Sequence, residues 1–357
     1  MIDVDDSIKK KSRWVDDHIA TLDPKKDYAE IMGLISQYQF DEFVLHFLIT
    51  GTNINVIMPA HGAEAQVFTN KAVRRPAKRM QDTLGIFWTW YAYGPKSPEA
   101  IEATKMLNDI HMGVAKHVPG HFSLDSDFIF TMCQIMVSQH RLFKKLGLGG
   151  APAHVNQAHY YFWKELSKHF VKEDGKGGTM PLEDDFPNSF EESLAYVNDW
   201  ESWDHRYSPV QTDIVSALIY AFGARWFPKS LQPLGRWLIT HTIQDHVLEH
   251  YRIKPLTGIP RFIAHNLLKG IFWFKGNYAP DSKVSFIKKR TLLTKEEYTK
   301  RDSAFTKLAD QMGWHRGGKS AVGIKERKAN GDISMCPVHQ ILPKKRIPST
   351  KVAEMME

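Results

Sequence analysis

Residues 76–114 read PAKRMQDTLGIFWTWYAYGPKSPEAIEATKMLNDIHMGV, and this stretch decides the fold. Its first half carries residues that recur at intervals of three and four, the spacing of one helical face: Arg79, Thr83, Ile86, Phe87 and Trp90. Gly94-Pro95 ends that helix, and Ser97 and Pro98 suit the N-cap and first helical position of another. The stretch therefore predicts two consecutive helices, over 76–93 and from 98 onward.

The second of these helices has an apolar stripe along one side. The stripe consists of residues at helical spacing, namely Ala100, Ala103, Leu107, Ile110 and Val114. His111 lies beside the stripe, four residues after Leu107. We therefore expect its imidazole to face the core, opposite an arginine and a hydroxyl on the preceding helix.

Helical periodicity also dominates the rest of the chain. It predicts further helices over residues 27–39, 41–58, 125–146, 153–171, 189–203, 209–221 and 232–251. The stretch DGKGGTMP at 174–181 predicts a loop, and it lacks the spacing of a phosphate-binding loop. No alternating strand set and no fixed-period repeat is visible. The expected fold class is all-α, with one globular helical domain.

The 357 residues have an ordinary globular composition and a formal net charge of +7. We expect an N-terminal extension over 1–22, a helical domain over 23–315 and a basic, flexible C-terminal tail over 316–357. Basic residues are concentrated toward the tail, but they do not alternate with aromatic residues as in nucleic-acid-binding motifs, so no nucleic-acid partner is expected. Cys133 and Cys336 lie far apart, which indicates neither a disulfide framework nor a thiolate metal site.

The N-terminal sequence MIDVDDSIKKK contains no apolar run typical of a secretory signal. No window reaches the roughly 18–20 apolar residues that a membrane-spanning helix requires. These features favour a cytoplasmic protein that is soluble or only peripherally attached to a membrane.

Peripheral attachment is a hypothesis raised by residues 265–278, HNLLKGIFWFKGNY. Large apolar and aromatic residues combine here with Lys269 and Lys275, a composition typical of a helix that lies in the membrane interface. A buried core helix or an oligomer contact is the alternative interpretation. The oligomeric state itself is left open by the sequence.

Seventeen histidines make several metal sites conceivable. His246 and His250 are four residues apart on one predicted helix with Glu249 beside them, which could form half of a zinc or non-haem iron site. Two histidines near a helix C-terminus are also explained by the helix dipole alone. The sequence lacks HExxH and Glu-x-x-His motifs, so this site stays an alternative.

A second kind of site is indicated by Arg79, Thr83 and His111. A neutral imidazole as the only strong axial ligand leaves the other side of a haem iron open, and an arginine and a hydroxyl there can hold dioxygen. Each of these residues alone would be an ordinary core residue. Taken by their spacing alone, the three residues are core residues with only a mild hint of function.

From about residue 23 to residue 261 the chain resembles the oxygenase family of the latex-clearing rubber oxygenases and the fungal MpaB-type oxygenases. The segments that carry the resemblance occur in the family's order: LDPKKDYAEI, QYQFDEF, RMQDTLGIFWTWYAYG, SPEAIEATKMLNDIHMGV and LDSDFIFTM. The most specific of them is the helix ending in NDIH, preceded by a helix with Arg-x-x-x-Thr. The resemblance implies an all-α fold with a globin-like core.

The resemblance also implies roles for individual residues. His111 takes the place of the proximal ligand of haem b, and Arg79 and Thr83 take the places of the distal arginine and hydroxyl. Glu64 stands at about the interval before the arginine where rubber oxygenases keep a carboxylate that acts as a base. Asp82 departs from the family, because rubber oxygenases have a lysine at that position that can cap the iron.

The function implied is that of a haem b-dependent oxygenase that uses dioxygen on a carbon–carbon double bond of a hydrophobic, isoprenoid-like substrate. Two alternatives stay open at this point. One is a non-haem metal oxidoreductase on the same fold that uses His246, His250 and Glu249. The other is a protein that binds a hydrophobic ligand without catalysis. Phe87, Trp88, Trp90 and Phe128 are candidates to line the substrate space.

Overall fold

The computed structural model describes residues 4–5, 7–69, 71–183, 186–289 and 294–314. These residues are mostly helical, which confirms the all-α fold class. The predicted basic tail over 316–357 lies outside the described residues.

The first half of the chain forms eight α-helices: α1 Trp14–Ile19, α2 Tyr28–Leu34, α3 Glu42–Val56, α4 Ala60–Thr69, α5 Lys71–Arg74, α6 Pro76–Tyr93, α7 Pro98–Ala115 and α8 Asp125–Lys145. A 3₁₀ turn at Ile8–Lys10 precedes α1, and a π-helical segment, Ile35–Gln39, continues α2. The second half contains α9 Ala153–Ser167, β1 Val171–Glu173, β2 Thr179–Pro181, α10 Phe190–Glu201, α11 Pro209–Trp226, α12 Gln232–Thr242, α13 Asp245–His250, α14 Gly258–Asn277, α15 Phe286–Lys289 and α16 Lys295–Gln311. A 3₁₀ turn at Lys229–Leu231 leads into α12.

Several helix starts follow from local capping chemistry. The Ser97 side chain accepts a hydrogen bond from the backbone N–H of Ala100 at 3.1 Å, with Pro98 in the first turn of α7. Asp41 caps α3 in the same way, and Ser189 caps α10. The predicted bounds of α6 and the predicted start of α7 are confirmed. The N-cap position of α8 is taken by Leu124, whose side chain cannot accept a hydrogen bond.

Two other predictions about secondary structure are wrong. The predicted helix over 232–251 is two helices, because Ile243 and Gln244 adopt extended backbone conformations between α12 and α13. Ile243 is buried, and its carbonyl at this break accepts a hydrogen bond from Lys145 Nζ at 2.7 Å. The predicted loop over 174–181 ends in strand β2, which pairs antiparallel with β1 in a two-stranded sheet.

One hydrophobic core includes side chains from Val4 near the N-terminus to Trp314. Within the predicted N-terminal extension, Trp14 and Val15 of α1 are buried in this core. The indole N–H of Trp14 donates to the Ser282 carbonyl at 3.2 Å, and the Val15 N–H donates to Asp281 at 2.8 Å. The N-terminal segment is therefore packed against a distant part of the chain.

Helices α6 and α7 form a hairpin whose register is set by one buried hydrogen bond. The indole Nε1–H of Trp90 donates to the Thr104 hydroxyl at 2.9 Å, and both side chains are buried. Gly94 ends α6 with φ of +82°, and a Cβ there would lie 2.9 Å from Ala29. Only glycine therefore fits this turn without strain. The hairpin brings the two helices of residues 76–114 together.

No single helix in the described part of the chain is long and apolar enough to cross a membrane. The consecutive segments Glu42–Val56 and Ala60–Phe68 reach that length and composition only together, and they are bent by 117° relative to each other.

The Thr104→Val variant tests the hairpin register. It keeps the shape of the side chain but leaves the buried Trp90 Nε1–H without its acceptor, so we expect the free energy of unfolding to fall by about 1–3 kcal/mol. Chemical denaturation monitored by circular dichroism measures this. In the control Thr89→Val, the lost hydroxyl bonds only to the Gly85 carbonyl of its own helix, and the change should stay below about 0.5 kcal/mol. Equal losses in the two variants would contradict the assigned role of Thr104.

Candidate functional site

The register of the α6–α7 hairpin places His111 opposite Thr83. Thr83 precedes Trp90 by seven residues, and His111 follows Thr104 by seven residues. Seven residues are close to two helical turns. Thr83 therefore lies on the same face of α6 as Trp90, and His111 lies on the same face of α7 as Thr104. Arg79 lies one further turn along α6. That these three residues face one another stays a prediction, and it is supported by the effect of the Arg79 charge, which lowers the pKa of the His111 ring together with burial.

Arg79 and Thr83 are joined to each other. A guanidinium nitrogen of Arg79 donates to the Thr83 hydroxyl, which donates in turn to the Arg79 carbonyl at 3.0 Å. Burial lowers the pKa of Arg79 from its ordinary value, and the Asp82 carboxylate counteracts this effect. Because arginine keeps its proton in proteins, the site contains a fixed positive charge with a hydroxyl attached to it.

Asp82 lies on the exposed side of α6. Its carboxylate forms an ion pair with Lys78, one turn earlier on the same helix. The position at which rubber oxygenases have a lysine thus carries an exposed acid in this chain.

His111 is held as a neutral imidazole. Burial lowers the pKa of its ring to about 4, and the positive charge of Arg79 contributes to the shift. Its ring is stacked on Phe122 with 4.8 Å between the centroids, and the ring of Phe128 lies edge-on at 6.2 Å. The Nδ1 atom of His111 is buried and has no hydrogen-bond partner in the part of the chain that the structure describes. A buried polar atom in this state requires an explanation, such as a ligand.

One member of the predicted apolar stripe on α7 does not face the core. Ile110 is 51% exposed, and Met106 one turn earlier is 49% exposed, whereas Ala100 and Ala103 are buried. The stripe is therefore interrupted at Ile110 and resumes at Val114, which is buried.

Two contacts hold the C-terminal part of α7 in place. The side-chain amide of Asn108 donates to the His169 carbonyl at 2.9 Å, which attaches α7 to the segment after α9. The Glu173 carboxylate accepts from the backbone N–H groups of Gly120 and Phe122, at 3.1 and 2.8 Å. The loop that carries Phe122 is thereby fastened to β1. Phe122, which stacks on His111, is thus held in place by Glu173, a residue outside the α6–α7 hairpin.

Glu64, the predicted base, lies in a buried ion-pair network on α4. Its carboxylate accepts from Arg206 at 2.6 Å and contacts His121 Nε2 at 3.1 Å. Glu64 is 1% exposed, so two partners compensate the cost of burying its charge. Both carboxylate oxygens of Glu64 are thus engaged by partners within this network.

A second histidine–carboxylate pair adjoins this network. His61, one turn before Glu64 on α4, lies 2.5 Å from a carboxylate oxygen of Asp127, and its ring is 6.1 Å from that of His121. Burial alone would lower the pKa of His61, but the Asp127 carboxylate outweighs it and the pKa is raised. The two pairs together form a polar cluster between α4, the 119–122 loop and α8.

This polar cluster and the His111 site meet at two consecutive residues. His121 contacts Glu64, and Phe122 stacks on His111. Ala65, the neighbour of Glu64, packs in a small apolar cluster with Val114 of α7, and Phe122 covers it. The Glu64 carboxylate is therefore close to the His111 site in the fold but faces the other side of the loop.

The sequence did not indicate several residues of this region. Phe122, His121, Asp127 and Arg206 come from a loop and from elements far along the chain, and no periodicity marks them. Conversely, the aromatic residues expected to line substrate space, namely Phe87, Trp88, Trp90 and Phe128, are all buried. Phe87 and Trp90 pack on each other and on Trp163, as core residues do.

The alternative metal site on α13 is not assembled. His246 contacts Glu201 at 3.2 Å, whereas His250 contacts the Met58 carbonyl at 3.1 Å, and Glu249 is exposed. Over the described ranges, no group of three or more His, Cys, Asp and Glu side chains is arranged to hold a metal ion. The helical spacing of His246 and His250 thus serves two separate contacts.

Comparisons with known proteins leave the relationship of this chain undecided. No protein-family model matches it, and no curated protein is significantly similar to it. The resemblance to the rubber oxygenases therefore stays a prediction that depends on the residues quoted above.

The lowered pKa of His111 predicts a specific dependence of stability on pH. The unfolded chain protonates this imidazole near its ordinary pKa of 6.5, but the folded protein does so only near 4. Acidification between these values therefore favours the unfolded state. The His111→Phe variant removes this titration and keeps an aromatic ring against Phe122. Between about pH 7 and about pH 5, we expect it to lose about 1–2 kcal/mol less stability than the wild type does.

Denaturation curves of the two proteins, prepared without added haem, measure the difference. All other titrating groups are shared, so their contributions cancel. Parallel stability curves over this pH range would show that His111 is not held neutral by burial.

Proposed function

We propose that the protein is a haem b-dependent oxygenase that uses dioxygen to oxidise a carbon–carbon double bond in a hydrophobic substrate. The observation that carries the proposal is the buried Nδ1 of a neutral His111, which lacks a hydrogen-bond partner among the described residues and lies close enough to Arg79 for that charge to lower its pKa. The resemblance of residues 23–261 to the rubber oxygenases and MpaB-type oxygenases points to the same residues.

The residues present fit a haem. A neutral imidazole nitrogen is the donor that haem iron takes from a protein, and a pKa of about 4 keeps His111 in that form at neutral pH. Phe122 fixes the plane of the ring by stacking, so the imidazole needs little reorganisation to bind. His111 would hold the iron, and the haem when bound would supply the binding and activation of dioxygen.

Arg79 and Thr83 supply the polar groups of the site. Arg79 places a desolvated positive charge close enough to His111 to lower its pKa. Such a charge stabilises electron density that develops on an oxygen atom nearby, more strongly in an apolar site than in water. The Thr83 hydroxyl orients the guanidinium by accepting its hydrogen bond. Asp82, paired with Lys78, leaves this part of α6 without a side chain that could cap iron.

A hydrophobic substrate is supported by the surface beside His111. Met106 and Ile110 lie one turn apart on the outer side of α7, and about half of each side chain is exposed. Ile110 immediately precedes His111 in the chain. These exposed side chains give α7 an apolar outer surface close to His111 in the chain, which favours contact with apolar over charged molecules there.

The two alternative functions receive less support. A non-haem metal enzyme would need His246, His250 and Glu249 to converge, and their contacts lead in different directions. A ligand-binding protein without catalysis would need no buried arginine–hydroxyl pair opposite a histidine. The oxygenase proposal accounts for all three residues of the site.

The His111→Ala variant tests the proposal. Purified wild-type protein mixed with haem should develop the Soret band of a histidine-ligated haem, and His111→Ala should lose this band because its axial donor is gone. His246→Ala is the matched control, since His246 is exposed and belongs to the alternative site. It should bind haem like the wild type.

Circular dichroism spectra establish that both variants are folded. Iron bound without porphyrin, lost in His246→Ala and kept in His111→Ala, would instead favour the non-haem enzyme. Wild-type protein that stays colourless in excess haem would refute the proposal.

A further inference from the structure

Helix α14 lies on the surface and uses only one side for packing. Ala264 and Leu268, four residues apart, are buried. Phe272, the next residue in this series, packs against Phe47 and Phe143. This stripe fastens the helix to the core. The other side of α14 faces outward along its whole length.

The outward side of α14 is unusually apolar. Phe262 is 69% exposed and Ile259 is 74% exposed near its start, and Trp273 and Phe274 are 50% and 56% exposed near its end. Two asparagines share this side, Asn266 and Asn277, and their amide groups donate to carbonyls of the helix itself. Exposed apolar surface of this extent on one element marks an interaction surface. We call this surface, from Ile259 to Tyr278, the α14 face.

The charged residues on helix α14 are all positive. The helix contains Arg261, Lys269 and Lys275 but no acidic residue, and residues 252–289 contain eight basic residues and one acid. That acid, Asp281, is partly buried and accepts hydrogen bonds from Val15 and Gln39. Arg261 and Lys275 pair with Asp245 and Asp41. The other basic residues of this region still give it a positive excess. The surface therefore offers aromatic side chains within a basic surround.

The charges on this face decide whether it suits a second copy of the chain or an anionic lipid surface. In a symmetric contact with a second copy, α14 would meet itself, and its three basic residues would approach a helix that contains no acid, although Arg261 and Lys275 keep acidic partners on their own chain. An anionic lipid surface instead complements the cations and accepts the apolar side chains at the same time. Trp273 and Tyr278 also belong to the side chains that favour the headgroup region.

We propose that the α14 face is a peripheral membrane-binding surface that docks the folded protein on anionic bilayers, with Phe262 and Trp273 inserted at the headgroup boundary. The observation behind it is the exposed aromatic side of a helix without acidic residues. This inference goes beyond the oxygenase proposal and does not depend on haem binding.

Sedimentation of the full chain with lipid vesicles tests the proposal. Wild-type protein should sediment with vesicles that contain phosphatidylserine, less with phosphatidylcholine alone, and less at high ionic strength. The Phe262→Asp/Trp273→Asp variant should lower the partition coefficient at least about tenfold, because it removes two apolar anchors. The Lys269→Gln/Lys283→Gln variant should weaken binding to the phosphatidylserine vesicles only.

A control with the same change in charge separates anchoring from electrostatics. Ile8→Asp/Met312→Asp adds two acids at exposed apolar positions on other elements and should change binding less than about threefold. Wild-type protein that stays in the supernatant with phosphatidylserine vesicles would overturn the proposal. Equal losses in the two aspartate variants would overturn it as well. So would a dimer in sedimentation equilibrium that Phe262→Asp/Trp273→Asp dissociates, if no vesicle binding accompanies it.

Discussion

The hydrogen bond from Trp90 to Thr104 is the constraint on which the rest of the site depends. It is buried between two long helices, so any slip of one helix along the other would leave an indole N–H without an acceptor. The turn at Gly94 keeps the connection short. With this register, we expect Thr83 and His111, each two turns further from the loop, to face each other. Burial keeps the His111 imidazole neutral, and the charge of Arg79, one turn beyond Thr83, adds to this effect.

The loop over 119–122 gives the site its second wall and connects it to a polar cluster. Phe122 stacks on His111, while the adjacent His121 contacts the buried Glu64 carboxylate. Because Glu173 fastens the backbone of this loop, the two neighbouring side chains are held in opposite directions. The loop thus lies between the His111 site, where Arg79 supplies a buried positive charge, and the ion-pair network around Glu64. Glu64, which is bound by two partners, has mainly a structural role in that network.

Much of the fold follows from local chemistry that the sequence displays. Ser97 and Pro98 start α7 where their types predict, and the period of α6 places Arg79 and Thr83 on one face. The break at Ile243 could not be predicted, because its cause is a hydrogen bond from Lys145, a residue 98 positions away. For the same reason, the sequence indicated only some of the contacts in the candidate site. The spacing of residues indicates which positions of a helical hairpin face each other. It does not indicate which side chains distant elements contribute to the same site.

The central claim is that His111 binds a haem iron, and the haem content of the protein tests it most directly. Wild-type protein purified from cells supplied with haem precursors should yield one equivalent of haem b per chain in a pyridine haemochrome assay, since the proposal assigns the iron to a single histidine, His111. A value indistinguishable from zero, for protein whose circular dichroism spectrum is that of a folded helical protein, would contradict the account.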